Sequence, residues 1–212
     1  EDPDGESRVL VDVPIIEASG EGLWARLASP YASSEIGMFF YPEVGDEVAL
    51  GFLNNDPRFA VILGSLFGKK MAPPFTPSAE NSDKGIVTKS KMKITFEEEK
   101  KIITIETPGE QKVVLDDDDG SISLEDKNDN KVVLDSKGIT LKSGKDITID
   151  AGGDVKIKST GKTDVKATGD ASIAGNNVSA KGNIAFKAEG AASTEVKSSG
   201  TLTLKGTMVM IN

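Results

Sequence analysis

ITLKSGKD (139–146), ITIDAGGD (147–154), VKIKSTGK (155–162), TDVKATGD (163–170) and ASIAGNNV (171–178) are five successive segments that align at a period of eight residues. Each segment has an aliphatic residue at its third position and a glycine in its second half. Eight residues accommodate a strand of about five residues and a turn. The period therefore predicts a stack of short strands with one aliphatic row, formed by Leu141, Ile149, Ile157, Val165 and Ile173.

The period of eight continues after Ile173, but its phase slips by one residue. A second series runs through Val178, Phe186, Thr194, Leu202 and Met210, and a companion series through Ala180, Ala188, Val196 and Leu204. Because side chains alternate across a strand, one row points inward and the polar residues between point outward. The predicted core of the needle is Leu141, Ile149, Ile157, Val165, Ile173, Phe186, Leu202 and Leu204.

One chain cannot build this core alone. Each segment buries one or two modest side chains, at roughly 25 cal/mol per Å² of apolar surface, whereas ordering the backbone costs about 1–2 kcal/mol per residue. Other copies must supply the rest of the core and the missing ladder partners. We therefore predict an intertwined homotrimer, a triple-stranded β-helix or β-prism whose backbone hydrogen bonds run between chains. Looser segments of the same kind, with larger turns, occupy residues 100–138.

The N-terminal part of the chain is predicted to be a small β-barrel. Residues 8–16, 22–31, 37–53 and 59–68 are rich in β-branched and aromatic residues and are separated by turn residues. In RVLVDV (8–13) the valines alternate with other residues, which is typical of half-buried antiparallel strands. Strands of this length close into an oligonucleotide/oligosaccharide-binding (OB) barrel, so the fold class is all-β throughout.

A proline-rich linker separates the two parts. KKMAPPFTPSAENSDKG (69–85) contains three prolines among polar residues, and proline neither donates to a ladder nor continues a helix. Such a segment is a semi-rigid spacer. The predicted organisation is an OB barrel at 1–68, a linker at 69–85 and a trimeric needle at 86–212.

Composition excludes several classes of function. The formal charge of −9 disfavours nucleic acid, because phosphate binding requires a cationic surface. Without cysteine or histidine the chain has no disulfides, no thiolate zinc site and no Ser-His-Asp catalysis. The N-terminal EDPDGES lacks the basic start and apolar run of a signal peptide. We assign no catalytic residue, no cofactor and no metal.

Two local features could be interpreted as binding sites. Asp116–Asp119 suggest calcium, but a calcium loop alternates its ligands with glycine at defined positions, so a solvated turn is the simpler interpretation. Trp24, Phe39, Phe40 and Tyr41 could stack nucleic acid bases, which would require flanking cations. We expect these aromatic residues to pack in the barrel core or at its collar instead.

Residues 39–68, FFYPEVGDEVALGFLNNDPRFAVILGSLFG, resemble the OB barrel of the valine-glycine-repeat (VgrG) spike proteins of type VI secretion. The family pattern is a Pro-x-x-Gly-Asp-Glu-Val strand, then Asp-Pro, then Ile-x-Gly. Together with the eight-residue repeats, the resemblance covers nearly the whole chain. The matching residues are Pro42, Gly45, Asp46, Glu47 and Val48, then Asp56 and Pro57, then Ile62 and Gly64.

The resemblance implies a homotrimeric puncturing spike of a contractile injection machine, related to the phage baseplate spike. Its tip would carry a PAAR-type capping protein or effectors, and it would pierce the target membrane transiently. It would be assembled in the bacterial cytoplasm and then injected. The larger base region that contacts tube and baseplate proteins is expected to lie outside this sequence, and neither a lysozyme insertion nor an appended effector is expected within it.

The distal residues are the predicted partner-binding tip. GTLTLKGTMVMIN (200–212) lacks the charged turns of the earlier segments and is apolar at its end. Unpaired strand edges and an uncovered apolar patch are features that proteins normally cover. The predicted tip residues are Met208, Met210, Ile211 and Asn212, with ordinary core packing as the alternative for Met208 and Met210.

An alternative function is a trimeric fibre or adhesin that binds carbohydrate or a cell surface. Such a fibre needs an exposed aromatic or polar pocket at its distal end. The distal half consists mostly of small and polar residues, and its one aromatic residue, Phe186, falls on the inward row. The spike is therefore the preferred interpretation.

Overall fold

The computed structural model describes residues 2–14 and 21–211. The chain divides into two compact units, Glu1–Ile149 and Asp150–Asn212. The regular elements are β-strands apart from two short 3-10 helices, which confirms the all-β fold class. The first unit contains the barrel strands and a seven-stranded sheet, and the second contains most of the eight-residue repeats.

The barrel strands form a four-stranded sheet in the order β1-β2-β6-β5. Strands β2 and β6 are parallel, and the other two pairs are antiparallel. A separate short hairpin joins β3 to β4. The elements are β1 Val9–Val11, β2 Leu23–Leu27, β3 Ala32–Ser33, β4 Ile36–Gly37, β5 Val48–Phe52, 3-10 helices at Leu53–Asn55 and Pro57–Phe59, and β6 Ala60–Ser65.

The barrel core is small. Ala25, Ala60 and Ile62 are buried, and six partly buried residues pack against them. Val9 and Val11 belong to that packed set, whereas Leu10 between them is half exposed. The alternation expected for this strand is therefore confirmed.

Two aromatic residues lie outside the core that was expected to hold them. Phe39 and Phe40 are 81% and 59% exposed, because they follow the β3–β4 hairpin and not a strand of the core sheet. The ring of Phe39 lies 4.7 Å from that of Tyr41, whose hydroxyl donates to the carbonyl oxygen of Ser7. The prediction of core packing is wrong for these residues, and packing at a collar stays a prediction.

The proline-rich segment packs against the sheet that follows it. Met71, Pro73 and Phe75 are half-buried, while the residues between them are exposed. The ring of Phe75 lies over Gly85, where a Cβ atom would come within 3.0 Å of the ring Cζ and 2.3 Å of the Ile94 carbonyl oxygen. Gly85 therefore permits a close approach that no larger residue allows.

Seven five-residue strands form an antiparallel meander in the order β13-β12-β11-β10-β9-β8-β7. The first begins at residue 83, three residues before the predicted start of the needle at 86. The strands are β7 Asp83–Val87, β8 Lys93–Glu97, β9 Ile102–Glu106, β10 Lys112–Asp116, β11 Ser121–Glu125, β12 Lys131–Asp135 and β13 Gly138–Lys142.

These strands correct one expectation. Backbone hydrogen bonds were predicted to run between chains along the whole needle, but residues 83–142 form their ladder within one chain. The physical reason lies in the turns, because each reversal contains a residue in the left-handed region, which turns the chain back on itself. These residues are Lys91, Lys101, Glu110, Gly120, Asp129 and Gly138.

Residues 143–211 follow a different path. No strand and no left-handed residue occur in this range, so each segment continues without a hairpin. Bends fall eight residues apart at 144–145, 152–153, 160–161, 168–169 and 176–177, then at 183–184, 191–192 and 199–200. The single spacing of seven, between 176 and 183, confirms both the period and the predicted phase slip.

Ion pairs follow the same slip. Before it, Lys156 pairs with Asp154 and Lys162 with Asp164, all at even positions. After it, Lys187 pairs with Glu189 and Lys197 with Glu195, all at odd positions. Charged side chains thus stay on the face opposite the aliphatic rows on both sides of the slip.

We predict that Gly85→Ala destabilises the first unit by about 1–3 kcal/mol, because the new methyl group overlaps backbone that is already in place. Gly64→Ala is the matched control, since a Cβ atom at this strand glycine meets nothing within 4 Å. Chemical denaturation of both variants measures the difference. Equal midpoints would show that Phe75 and β7 do not pack this closely.

Candidate assembly surface

The seven-stranded sheet has one apolar face. Residues paired across antiparallel strands point to the same face, so the register defines two continuous rows of side chains. The first row is Ile86, Ile94, Ile105, Val113, Leu124, Val132 and Leu141. The second row is Phe96, Ile103, Leu115, Ile122, Leu134 and Ile139.

Nothing among residues 2–14 and 21–211 covers this apolar face. None of its side chains is buried. Ile103, Val113 and Val132 are half-buried. Exposure of the others ranges from 37% at Ile94 and Leu134 to 76% at Ile139. Monomeric proteins rarely expose a contiguous apolar patch of such extent, and patches of this kind mark interaction surfaces. The face therefore requires a partner.

The opposite face is mostly polar, with Val87, Ile102, Val114 and Val133 as its apolar members. Its central row alternates hydroxyl residues with two valines. The members of this row are Thr95, Thr104, Val114, Ser123, Val133 and Thr140. One outer row alternates lysine with glutamate from Lys93 to Lys131. Lys93 Nζ lies 3.7 Å from Glu106 Oε2, and Lys131 contacts Glu125 in the same row. Such exposed pairs contribute little stability, but they make this side of the sheet suited to water.

A nineteen-residue repeat generates the apolar face, and the sequence analysis missed it. Strands begin with lysine at 93, 112 and 131, nineteen residues apart, and the second residue of each is Ile94, Val113 or Val132. Two strands and their two turns make one repeat. The signal was present in the sequence but was interpreted as irregular versions of the eight-residue period.

The predicted core residues of the needle are exposed in the isolated chain. Leu141 lies on the apolar face, and the remaining seven lie on the segment with no ladder of its own. Residues 144–211 are exposed throughout. Exposure of the seven is 72% for Ile149, 81% for Ile157, 87% for Val165, 86% for Ile173, 70% for Phe186, 51% for Leu202 and 69% for Leu204.

The predicted tip residues are also exposed. Met208, Met210 and Ile211 are 78%, 82% and 87% exposed, and Asn212 lies outside the described residues. Their place at a partner surface stays a prediction.

Carboxylates are concentrated in the turns, where they shape the backbone. The Asp116 carboxylate accepts a hydrogen bond from the amide of Asp119. Asp126 accepts from the side chains and amides of Asn130 and Asn128, and these bonds lower its pKa to about 2. Among residues 2–14 and 21–211, no cluster of three or more potential ligands could hold a metal ion.

The helices in the described part of the chain are two short 3-10 helices. No helix there is long and apolar enough to cross a bilayer.

Two family models match the chain. The type VI secretion system/phage-baseplate injector OB domain matches residues 1–67. The phage baseplate V C-terminal trimerisation domain matches residues 102–212, more than half of the chain. The second description supports a homotrimer.

One curated relative is the actin cross-linking toxin VgrG1 of Vibrio cholerae serotype O1. It is 36% identical over 53 residues, which cover 25% of this chain and 5% of the relative. The chain thus corresponds to a small part of that protein, and the toxin activity in its name describes the relative. With both family models matched in order along the sequence, the chain belongs to the phage baseplate V family of type VI secretion and phage-baseplate injector proteins.

Proposed function

We propose that the chain is a structural spike of a contractile injection machine and that it works as a homotrimer. One observation carries this proposal: residues 144–211 bury none of their aliphatic side chains within one chain. A segment with this pattern is ordered only as part of an assembly. Three identical chains are the assembly that the trimerisation-domain match supports.

The free energies favour the assembly. Burying a valine or isoleucine side chain contributes about 1.5–3 kcal/mol, and each eight-residue segment offers only one or two of them. Ordering its backbone costs about 1–2 kcal/mol per residue. In a trimer, three chains share one axis, so each aliphatic residue is buried by its two copies and each free backbone group gains a ladder partner.

The apolar face of residues 83–142 suits the same symmetry. Three sheets can turn their apolar faces to a common axis and leave their polar faces in water. Each sheet supplies its own ladder, so association here depends on side-chain packing and not on shared strands. Close-packed interiors of this kind have low compressibility, a property that a puncturing spike requires.

We further propose that the distal residues receive a PAAR-type cap or an effector. Support comes from the exposure of Met208, Met210 and Ile211 and from the flexible methionine side chain, which can adapt three identical surfaces to one asymmetric partner. Assembly would occur in the bacterial cytoplasm, with the base against tube and baseplate proteins. Contraction would then drive the spike transiently through a target membrane.

We predict that Leu124→Asp prevents trimer formation, because three-fold symmetry would place three carboxylates against an apolar axis. Ser123→Asp, one residue away on the polar face, should leave the trimer intact. Light scattering of both variants measures the mass. Equal masses would show that this face is not the contact surface.

We predict the same contrast in the repeats for Ile157→Asp and Thr148→Asp. The first places an unpaired charge on the dry axis, at several kcal/mol per ion, and should lower the melting temperature of the trimer sharply. The second lies on an outward position and should be tolerated. Thermal unfolding with equal transitions would refute the inward assignment of Ile157.

We predict that removing residues 207–212 reduces co-purification with the PAAR-type protein of the same system while the trimer persists. Light scattering checks the trimer, and pull-down measures the binding. Undiminished binding would place the docking surface elsewhere on the chain.

A further inference from the structure

The turns of the seven-stranded sheet lie along two rims. Because each strand of a meander reverses the direction of the chain, successive turns lie at opposite ends of the strands. A rim comprises the three turns on one side of the sheet and the strand residues that flank them. The first rim consists of residues 87–93, 106–112, 125–131 and 142. The second rim consists of residues 83, 97–102, 116–121 and 135–138.

The two rims differ in the sign of their charge. The first rim contains seven lysines and five carboxylates and is named the lysine rim. The second rim contains nine carboxylates and three lysines and is named the acidic rim. Folding of the meander thus sorts the charges of residues 83–142 to opposite sides of one sheet.

Many of these charges have no ionic partner in their own chain. On the acidic rim, Lys100 Nζ lies 3.2 Å from Glu97 Oε1. The exposed carboxylates of Asp117–Asp119 form no ion pair within residues 2–14 and 21–211. On the lysine rim, the exposed side chains of Lys112 and Lys127 likewise form none with any described residue.

The two rims of one sheet cannot neutralise each other. Residues at opposite ends of a five-residue strand are about 13 Å apart, at roughly 3.3 Å per residue. The side chains of the turns are farther apart still. This separation exceeds the Debye length of about 8 Å at physiological ionic strength, so the two rims of one chain barely interact. Each rim can therefore gain ionic partners only from another molecule.

We propose that, in the trimer, the acidic rim of each copy lies against the lysine rim of the next copy. The inference rests on the proposed function, because it takes the three apolar faces to be turned to a common axis along the stack of strands. Each sheet then meets its neighbours at its rims, and cyclic symmetry repeats the same contact between unlike rims at all three corners. Turns of the two rims alternate along the stack, so those of one copy fit between those of the next.

The rims also determine the orientation of the copies. The apolar faces alone would accept a copy that is inverted end over end, because its apolar face would still point to the axis. Inversion exchanges the two rims of that copy. Acidic rim would then meet acidic rim at one corner and lysine rim would meet lysine rim at another, and like-charge contacts disfavour such an arrangement. The charges thus align the three chains in parallel, as a spike with one tip requires.

Reversal of charge on one rim, and then on both, tests this contact in the full chain. One variant carries Asp117→Lys and Asp118→Lys, a second carries Lys112→Glu and Lys127→Glu, and a third carries all four substitutions. These side chains form no ion pair with any described residue, so the variants break none within the chain. Thermal unfolding is followed at low and at high salt, and light scattering measures the mass.

We expect each single-rim variant to lower the melting temperature of the trimer by about 5 °C or more at low salt, because like charges then meet at every corner. High salt should reduce this loss by screening. The variant with all four substitutions should recover at least half of it, because unlike charges meet again. Lys69→Glu with Lys70→Glu is the matched control, an equal change of charge at exposed residues outside both rims, and should have little effect.

A smaller recovery, or losses that add in the variant with all four substitutions, would overturn the proposal. Unchanged melting temperatures in the single-rim variants would overturn it as well. In both cases a trimeric mass of the unchanged chain leaves the proposed spike standing, whereas a monomeric mass overturns both proposals. If a single-rim variant does not assemble, return of the trimeric mass with all four substitutions supports the contact, and continued failure to assemble contradicts it.

Discussion

The structure depends on one constraint: its apolar side chains lie on one face only, and none of the described residues covers them. In the sheet of residues 83–142 the backbone groups are hydrogen-bonded in a ladder, but the apolar side chains are left uncovered. Residues 144–211 form no ladder within one chain, and their side chains are exposed as well. In the proposed trimer both deficits are met by identical copies around an axis, because symmetry lets the same face serve as surface and as partner.

The sequence predicted the fold where its pattern was strict. The period of eight, its phase slip after Ile173 and the alternation around Leu10 all have counterparts in the structure. It failed at residues 83–142, where the reversals depend on Lys101, Glu110 and Asp129 in the left-handed region. Lysine and glutamate seldom adopt this conformation, so the identity of Lys101 and Glu110 did not indicate hairpins.

The candidate surface was predicted only in its last strand, at Leu141. The other rows were missed because the hairpin pattern repeats over two strands, and nineteen residues is not a multiple of eight. Phe39 and Phe40 were misplaced for a different reason. Hydrophobicity alone assigns such residues to a core, yet apolar residues can equally lie exposed where a partner is to be bound, and only the position of the strands distinguishes the two.

Identical chains impose a last condition, which concerns charge. Three-fold symmetry brings each residue near its copies, so an unpaired charge close to the axis would meet two others of its own sign. Residues 150–212 contain eight lysines and six carboxylates, and four of these lysines pair with a carboxylate two positions away on the same chain. Within residues 1–149, the twenty-eight carboxylates outnumber the seventeen basic residues, and many lie in exposed turns such as Asp117–Asp119. Charge is thus neutralised locally or left in solvent, where salt screens it, and the axis receives side chains that do not repel their own copies.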